Sequence, residues 1–81
     1  MDSVDFTWAG SHHRVTKTEV LKKLKGARLG PVKKHAVEAD GVQHPIKEAF
    51  ALVTGLDLLD FNTNQARTVF RRLGLKVTRI E

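Results

Sequence analysis

The dipeptide Asp40-Gly41 restricts this chain more than any other local feature, because it predicts a tight turn between two short strands. A two-residue type I′ turn needs a positive φ at both central residues, and aspartate and glycine tolerate this conformation. The turn therefore predicts a β-hairpin that begins at Val32 and whose second strand is closed by Pro45. Its register pairs Ala39 with Val42 and Val37 with His44 on one face, and it leaves Glu38 and Gln43 on the other.

Three further segments have the apolar period of an amphipathic helix, and each lies between a start signal and a glycine. The signals place these helices at about Thr16–Lys25, Pro45–Gly55 and Asn62–Gly74. Thr16–Glu19 and Asn62–Gln65 fit the capping box, in which two residues exchange side-chain and backbone hydrogen bonds. The residues predicted to face inward are Val20, Leu21 and Leu24, then Ile46, Ala49, Phe50 and Val53, and finally Ala66, Val69, Phe70 and Leu73.

Both ends of the chain alternate between apolar and polar residues, as half-buried strands do. Val4–Trp8 predicts a short strand or an ordered arm within residues 1–12, and Leu75–Ile80 predicts a final strand. Between the second and third helices the apolar residues are too dense for a free loop, so we expect them to pack under the core. These residues are Leu56, Leu58, Leu59 and Phe61.

The length of 81 residues predicts a single small α+β domain over the whole chain. Its elements are a helix, a hairpin, two helices in a helix-turn-helix-like pair and a C-terminal strand. The chain has no cysteine, which excludes a disulfide scaffold, a thiolate zinc site and a cysteine nucleophile. No apolar run is long enough to span a bilayer, and the acidic, polar start does not resemble a signal peptide. We therefore expect a soluble cytoplasmic protein.

Catalytic and metal-binding residues are poorly represented. Ser3 and Ser11 are the only serines, and neither lies in a strand-turn-helix elbow. In the predicted register His35 and His44 lie diagonally on one face, but two neutral ligands without a carboxylate or thiolate make a weak metal site. The sequence therefore predicts no enzymatic activity, no metal and no cofactor.

The positive charge of the chain, +5 in total, is concentrated in two segments. Residues 11–34 have eight basic residues and one acidic one, and residues 63–81 have five and one. Residues 35–62, between them, have five acidic residues and one basic one. If the fold brings the two basic segments together, they form a surface suited to a polyanion.

The third helix carries the most specific pattern. Arg67 and Arg71 are four residues apart and share a face, and Arg72 lies one step around the helix. Polar side chains occupy its N-terminus, where they and the helix dipole can meet a phosphate or a base edge. These are Thr63, Asn64 and Gln65. A solvated arginine face on a core helix is an equally good reading of the same residues.

Residues 40–77 also resemble a module associated with bacterial DNA restriction. The matching features are Asp40-Gly41, Pro45-Ile46-Lys47, Thr54-Gly55, Asp60-Phe61, Gln65-Ala66-Arg67 and Arg72-Leu73-Gly74-Leu75. The segment resembles the N-terminal domain of some HNH-type, modification-dependent restriction endonucleases and of their small free-standing relatives. This resemblance implies a DNA-associated role without nuclease activity, and it implies DNA contacts at Lys47, Arg67, Arg71 and Arg72.

The sequence thus predicts a small, non-enzymatic module that binds double-stranded DNA with weak sequence specificity. Its expected contacts are Arg67, Arg71, Arg72, Asn64 and Lys47, with Lys22, Lys23, Lys33 and Lys34 on flanking phosphates. We expect at least one lysine pair on the side of the arginines. The acidic residues Glu38, Glu48, Asp57 and Asp60 are expected mainly on the opposite side.

The alternative is a protein-interaction module that docks through Leu56–Phe61 or Trp8. Its basic face then serves solubility or an acidic protein partner.

Overall fold

Within residues 3–8, 10–27, 29–32 and 34–79, which are the residues that the structure describes, the computed structural model has five strands and three α-helices. In chain order they are β1 (Ser3–Trp8), β2 (Ser11–Thr16), α1 (Lys17–Leu24), β3 (His35–Ala39), β4 (Val42–Pro45), α2 (Ile46–Thr54), a 3-10 turn (Leu58–Asp60), α3 (Thr63–Arg72) and β5 (Lys76–Arg79).

The strands form two antiparallel sheets. β1 pairs with β2, and β3 is the central strand of a three-stranded sheet in the order β4-β3-β5. The predicted α+β class is confirmed, with a helix, a hairpin, two helices and a strand in the expected order. In the described residues, none of the helices is both long and apolar enough to cross a membrane.

The β1–β2 hairpin differs from the prediction, which had no second strand here. Val4 and Val15 pair across the hairpin, and both are buried in the core. On the opposite face the Asp5 carboxylate lies 3.6 Å from Nε of Arg14 on the paired strand. Residues 12–15 contain one apolar residue, so hydrophobic periodicity does not reveal this strand.

The β3–β4 hairpin is the one predicted from Asp40-Gly41. The two turn residues have φ values of 52° and 77°, and the Cα partners across the strands are the predicted ones. The first strand begins at His35 and not at Val32, however. In the described residues, the pairing of β3 with β5 begins at His35 and its pairing with β4 begins at Ala36.

The start of α1 shows only half of the predicted capping box. The Glu19 amide donates to the Thr16 hydroxyl oxygen at 3.1 Å, as expected. A complete capping box would also have the Thr16 amide donating to the Glu19 carboxylate. In the structure the Thr16 hydroxyl donates to that carboxylate instead, at 3.2 Å. Thr16 is also the last residue of β2, opposite Ser3. The helix ends at Leu24, before the predicted Lys25.

Both ends of α3 are defined by hydrogen bonds that the sequence anticipates. The Asn62 side chain accepts from the Gln65 amide, and the Gln65 side chain accepts from the Asn62 amide, each at 2.9 Å, which confirms the capping box. At the other end Leu73 is the C-cap, in place of Gly74. Gly74 follows at a φ of 82°, and its amide donates to the Arg71 carbonyl at 2.9 Å in a Schellman-type ending.

The second helix, α2, lies at the centre of the core. It begins after Pro45, which is the N-cap, and ends at Gly55 in the left-handed conformation. Its residue Phe50 is fully buried and contacts aromatic rings from three other parts of the chain. The ring centroid of Phe50 lies 5.8 Å from that of Phe6, 4.7 Å from that of Phe61 and 5.7 Å from that of Phe70.

The residues predicted to face inward from the helices are buried, apart from Leu21, which is partly buried. The prediction that the whole segment after α2 packs under the core is wrong. Leu58 and Leu59 are 40% and 93% exposed, whereas Phe61 is buried. The Asp57 carboxylate accepts from the Leu59 amide at 2.9 Å and starts a short 3-10 turn that directs both leucines outward.

We expect Phe70→Ala to lower the free energy of unfolding by about 3–5 kcal/mol, because the ring is fully buried edge-on against Phe50. In a domain of this size such a loss lowers the melting temperature by roughly 12 °C or more. Urea or thermal denaturation measures it, and Phe70→Leu, which keeps most of the buried volume, serves as the control. A Phe70→Ala protein that melts within a few degrees of the parent contradicts this packing.

Candidate polyanion-binding site

The exposed face of α3 carries the arginines that the sequence singles out. Ala66, Val69 and Phe70 face the core, so helical spacing turns Asn64 and Arg71 outward. α3 packs against β5 and β3 on one side and against β1 on the other. Arg71 and Arg72 are exposed. Arg67 was expected to face solvent, but it lies on the flank of the helix and is only partly exposed.

His35 lies where one flank of α3 packs against the three-stranded sheet. The β3–β5 register places His35 opposite Arg79. Burial lowers the pKa of His35 below its usual 6.5, and four neighbouring cations lower it further. These cations are Arg67, Arg79, Lys34 and Arg71. The chain thus brings cations from both basic segments to one place, here called the His35 cluster (Lys34, His35, Arg67, Arg71 and Arg79).

Two nitrogen atoms in the His35 cluster are buried without a hydrogen-bond partner among the described residues. They are Nδ1 of His35 and Nε of Arg67. An unpaired buried polar atom is costly, and such atoms are rare in native proteins. The ion pairs found within residues 3–8, 10–27, 29–32 and 34–79 involve Asp5, which lies in the other sheet, with His12 and Arg14 as its partners. The cluster therefore has both positive potential and free donor capacity for an anion.

A cavity of about 390 Å³ adjoins the His35 cluster and connects it with the N-terminal ends of α2 and α3. Lys34, His35 and Thr63 line it, together with Lys47, whose Nζ lies 5.6 Å from the centre of the Phe61 ring. Glu48 also lines this cavity. The expectation that the carboxylates lie opposite the basic residues is therefore wrong for Glu48, because its position in the first turn of α2 directs it here.

Lys22 and Lys23, two more of the predicted lysines, do not line this cavity. Nζ of Lys23 donates to the carbonyl of Val53 at 3.1 Å, near the C-terminal end of α2, where a cation also favours the helix dipole. Lys47 is in the first turn of the same helix, so Lys23 is at the end remote from the cavity. Lys22 is exposed on α1. Lys33 lies outside the described residues.

Asn64 and Arg72 line a second cavity, of about 360 Å³, between α3 and β1. Its apolar wall includes Phe6 and Phe50. The predicted contacts on α3 are thus divided between two flanks, with Arg67 towards the sheet and Arg72 towards the first hairpin. Arg71 lies on the exposed face between the two flanks.

Sequence reasoning missed His35 and Arg79 as parts of this surface. Arg79 contributes to the positive charge of residues 63–81, which was the available signal. Their proximity depends on the pairing of β3 with β5, which no local pattern reveals. In the described residues, no group of three or more histidine, aspartate and glutamate side chains is arranged to hold a metal ion.

Comparison with known proteins adds no family to this description. Family models, curated proteins and solved structures were compared with the chain, and none matched. Function is therefore argued from the charge and geometry of the described residues.

We expect Arg67→Gln to raise the pKa of His35 towards 6.5, because the Arg67 charge is the strongest electrostatic cause of the lowered value after burial. An NMR titration of the His35 imidazole measures this shift. Arg72→Gln is the matched control, since it removes the same charge from the opposite flank of α3. If the pKa of His35 is the same in the parent and in Arg67→Gln, the proximity of Arg67 to His35 is contradicted.

Proposed function

We propose that this protein is a small, non-enzymatic module that binds double-stranded DNA mainly through backbone phosphates. The observation that carries the proposal is the His35 cluster, in which cations from two basic segments converge without a carboxylate ion pair among the described residues. Phosphate contacts from lysine and arginine supply most of the affinity of such modules. Weak sequence preference follows if few side chains reach base edges.

In this proposal α3 is the helix that faces the duplex. Its ten residues extend over about 15 Å, and an α-helix fits the major groove, which is roughly 12 Å wide. Arg71 lies on the exposed face, with Arg67 and Arg72 on its two flanks, so the three guanidinium groups can reach both groove walls. Asn64, near the N-terminal end, has the amide that pairs with adenine in the major groove.

The arrangement of α2 and α3 supports the same orientation. The helices are consecutive and pack together, as in a helix-turn-helix pair whose second helix enters the groove. Residues 55–62 connect them, which is longer than the usual turn of about three or four residues. The resemblance of residues 40–77 to modules of bacterial restriction endonucleases also favours a DNA partner, and with it a cytoplasmic, restriction-associated role.

The lysines have different parts in this proposal. Lys34 and Lys47 line the cavity beside the His35 cluster, and we assign them to phosphates next to those that the arginines contact. Lys22 and Lys33 remain predicted contacts on flanking phosphates. Lys23 already donates to the α2 carbonyl of Val53, so its first role is to cap that helix.

A protein-interaction module is the second candidate, and the exposed side chains of Leu58 and Leu59 favour it. Leu59 is 93% exposed at the tip of the 3-10 turn, where an apolar residue gains free energy if a partner covers it. The side chain of Trp8, the other predicted docking residue, lies outside the described parts of the chain. If a protein partner binds at this turn, its binding should not depend on the presence of DNA.

We expect the protein to bind an arbitrary duplex at low salt, with log affinity falling by about 0.9 per phosphate contact for each unit of log salt concentration. Replacing Arg71 and Arg72 by alanine should weaken binding at least about tenfold and lower this slope by about 2. Both side chains are exposed, so the fold should lose little stability. Fluorescence anisotropy over a range of salt concentrations measures both quantities.

The matched control for this experiment is Lys25→Ala with Lys76→Ala. It removes the same charge from two exposed residues that lie on α1 and at the start of β5. If the control weakens binding as much as the arginine pair does, the effect comes from net charge and not from α3. Absence of duplex binding at low salt overturns the proposal and favours the protein-interaction module.

A further inference from the structure

We propose that His35, Arg67 and Arg79, with Lys34 and Arg71 at the edge, form a binding site for one phosphate group. The ligand that this site would take is a tetrahedral oxyanion. The proposal rests on the proposed function in one respect, because it takes the duplex backbone as the source of the phosphate.

The site is built by three separate elements. His35 is the first residue of β3, and Arg79 is the last residue of β5, directly opposite it in the register. Arg67 comes from the middle of α3, which packs on both strands. Side chains that converge from two strands and a helix have defined positions, unlike a run of lysines on a loop.

The two buried nitrogens of the His35 cluster that have no hydrogen-bond partner indicate a ligand that accepts hydrogen bonds. Nε of Arg67 is a permanent donor, and Nδ1 of His35 becomes a donor when the imidazole is protonated. A phosphate oxygen accepts from both kinds of group, and charge-assisted bonds of this type are about twice as strong as neutral ones. A phosphate bound here therefore provides the acceptor that these two nitrogens of the His35 cluster lack.

The charges around His35 make the site sensitive to pH. The charged groups that face it are Lys34 before β3, Arg67 and Arg71 on α3, Arg79 on β5, and Lys47 and Glu48 on α2, across the adjoining cavity. In the free protein, burial and the neighbouring cations keep the pKa of His35 below 6.5. A bound phosphate reverses the electrostatic part of this effect, because its negative charge favours the imidazolium form.

The direction of the pH dependence follows from linkage. The bound state takes up a proton at pH values between the pKa of His35 in the free protein and its higher pKa in the complex. Affinity therefore falls as the pH rises through this interval, by tenfold for each unit by which phosphate raises that pKa. Below and above the interval, His35 contributes no pH dependence.

The first experiment uses sulfate as the probe, because its charge is constant over this pH range. Sulfate replaces chloride at fixed ionic strength while two-dimensional NMR spectra and the His35 titration are recorded. The proposal predicts shifts centred on His35, Arg67 and Arg79, together with a raised pKa of His35. Shifts spread evenly over all surface cations, or an unchanged His35 titration, overturn it.

The second experiment measures duplex affinity between pH 5 and pH 8 for the parent, His35→Gln and Arg79→Gln. The parent should lose affinity as the pH rises, and His35→Gln should lose this dependence. Arg79→Gln should bind sulfate and the duplex more weakly, while Lys76→Gln, the same charge change at the other end of β5, should bind like the parent. Spectra of each variant establish that it is folded.

The two proposals fail in different ways. Duplex binding in the parent whose pH dependence is the same in His35→Gln overturns the phosphate site and leaves DNA binding intact. A sulfate response at His35 without duplex binding supports the oxyanion site and identifies its ligand as a free anion, which overturns the DNA proposal. If His35→Gln does not fold, the comparison of Arg79→Gln with Lys76→Gln decides the question.

Discussion

The packing of Phe50 against three other aromatic rings holds the two flanks of α3 in position. Phe6 comes from β1, Phe61 from the segment before α3, and Phe70 from α3 itself. The helix is therefore attached to the first hairpin, to α2 and to its own N-terminal connection through one buried ring. A domain of 81 residues buries a smaller fraction of its surface than a large domain does, so each buried aromatic ring contributes a large share of its core.

The same packing explains why the basic surface faces outward. Ala66, Val69 and Phe70 are the buried residues of α3, and their spacing leaves the opposite face free for Arg71. Arg67 lies at the boundary, so it is only partly exposed, its Nε is buried and its charge acts on His35. Arg67 and Arg71 are four residues apart, and the rotation of about 40° between them leaves Arg71 exposed and Arg67 only partly exposed, although both lie near His35.

Local features of the sequence predicted most of the fold. The Asp40-Gly41 turn determined the β3–β4 register, and the Asn62–Gln65 capping box determined the start of α3, because both depend on neighbouring residues. The β1–β2 hairpin escaped prediction, since its second strand has one apolar residue in four at residues 12–15. The prediction that Leu59 packs under the core was wrong, because apolar content predicts burial only where the backbone turns inward. Here the Asp57 cap turns the backbone outward.

The candidate site was predictable only in part, for a related reason. The arginines on α3 follow from helical spacing, but the approach of His35 to Arg79 requires the pairing of two strands that residues 40–75 separate in the sequence. Such pairing gathers four cations around a partly buried imidazole at a cost in stability, which a chain selected for stability alone has no reason to retain. A bound anion removes that cost in proportion to its occupancy, since a ligand of the folded state alone stabilises that state. In the proposed site, one phosphate group accounts for both the unpaired nitrogens and the positive potential of the His35 cluster.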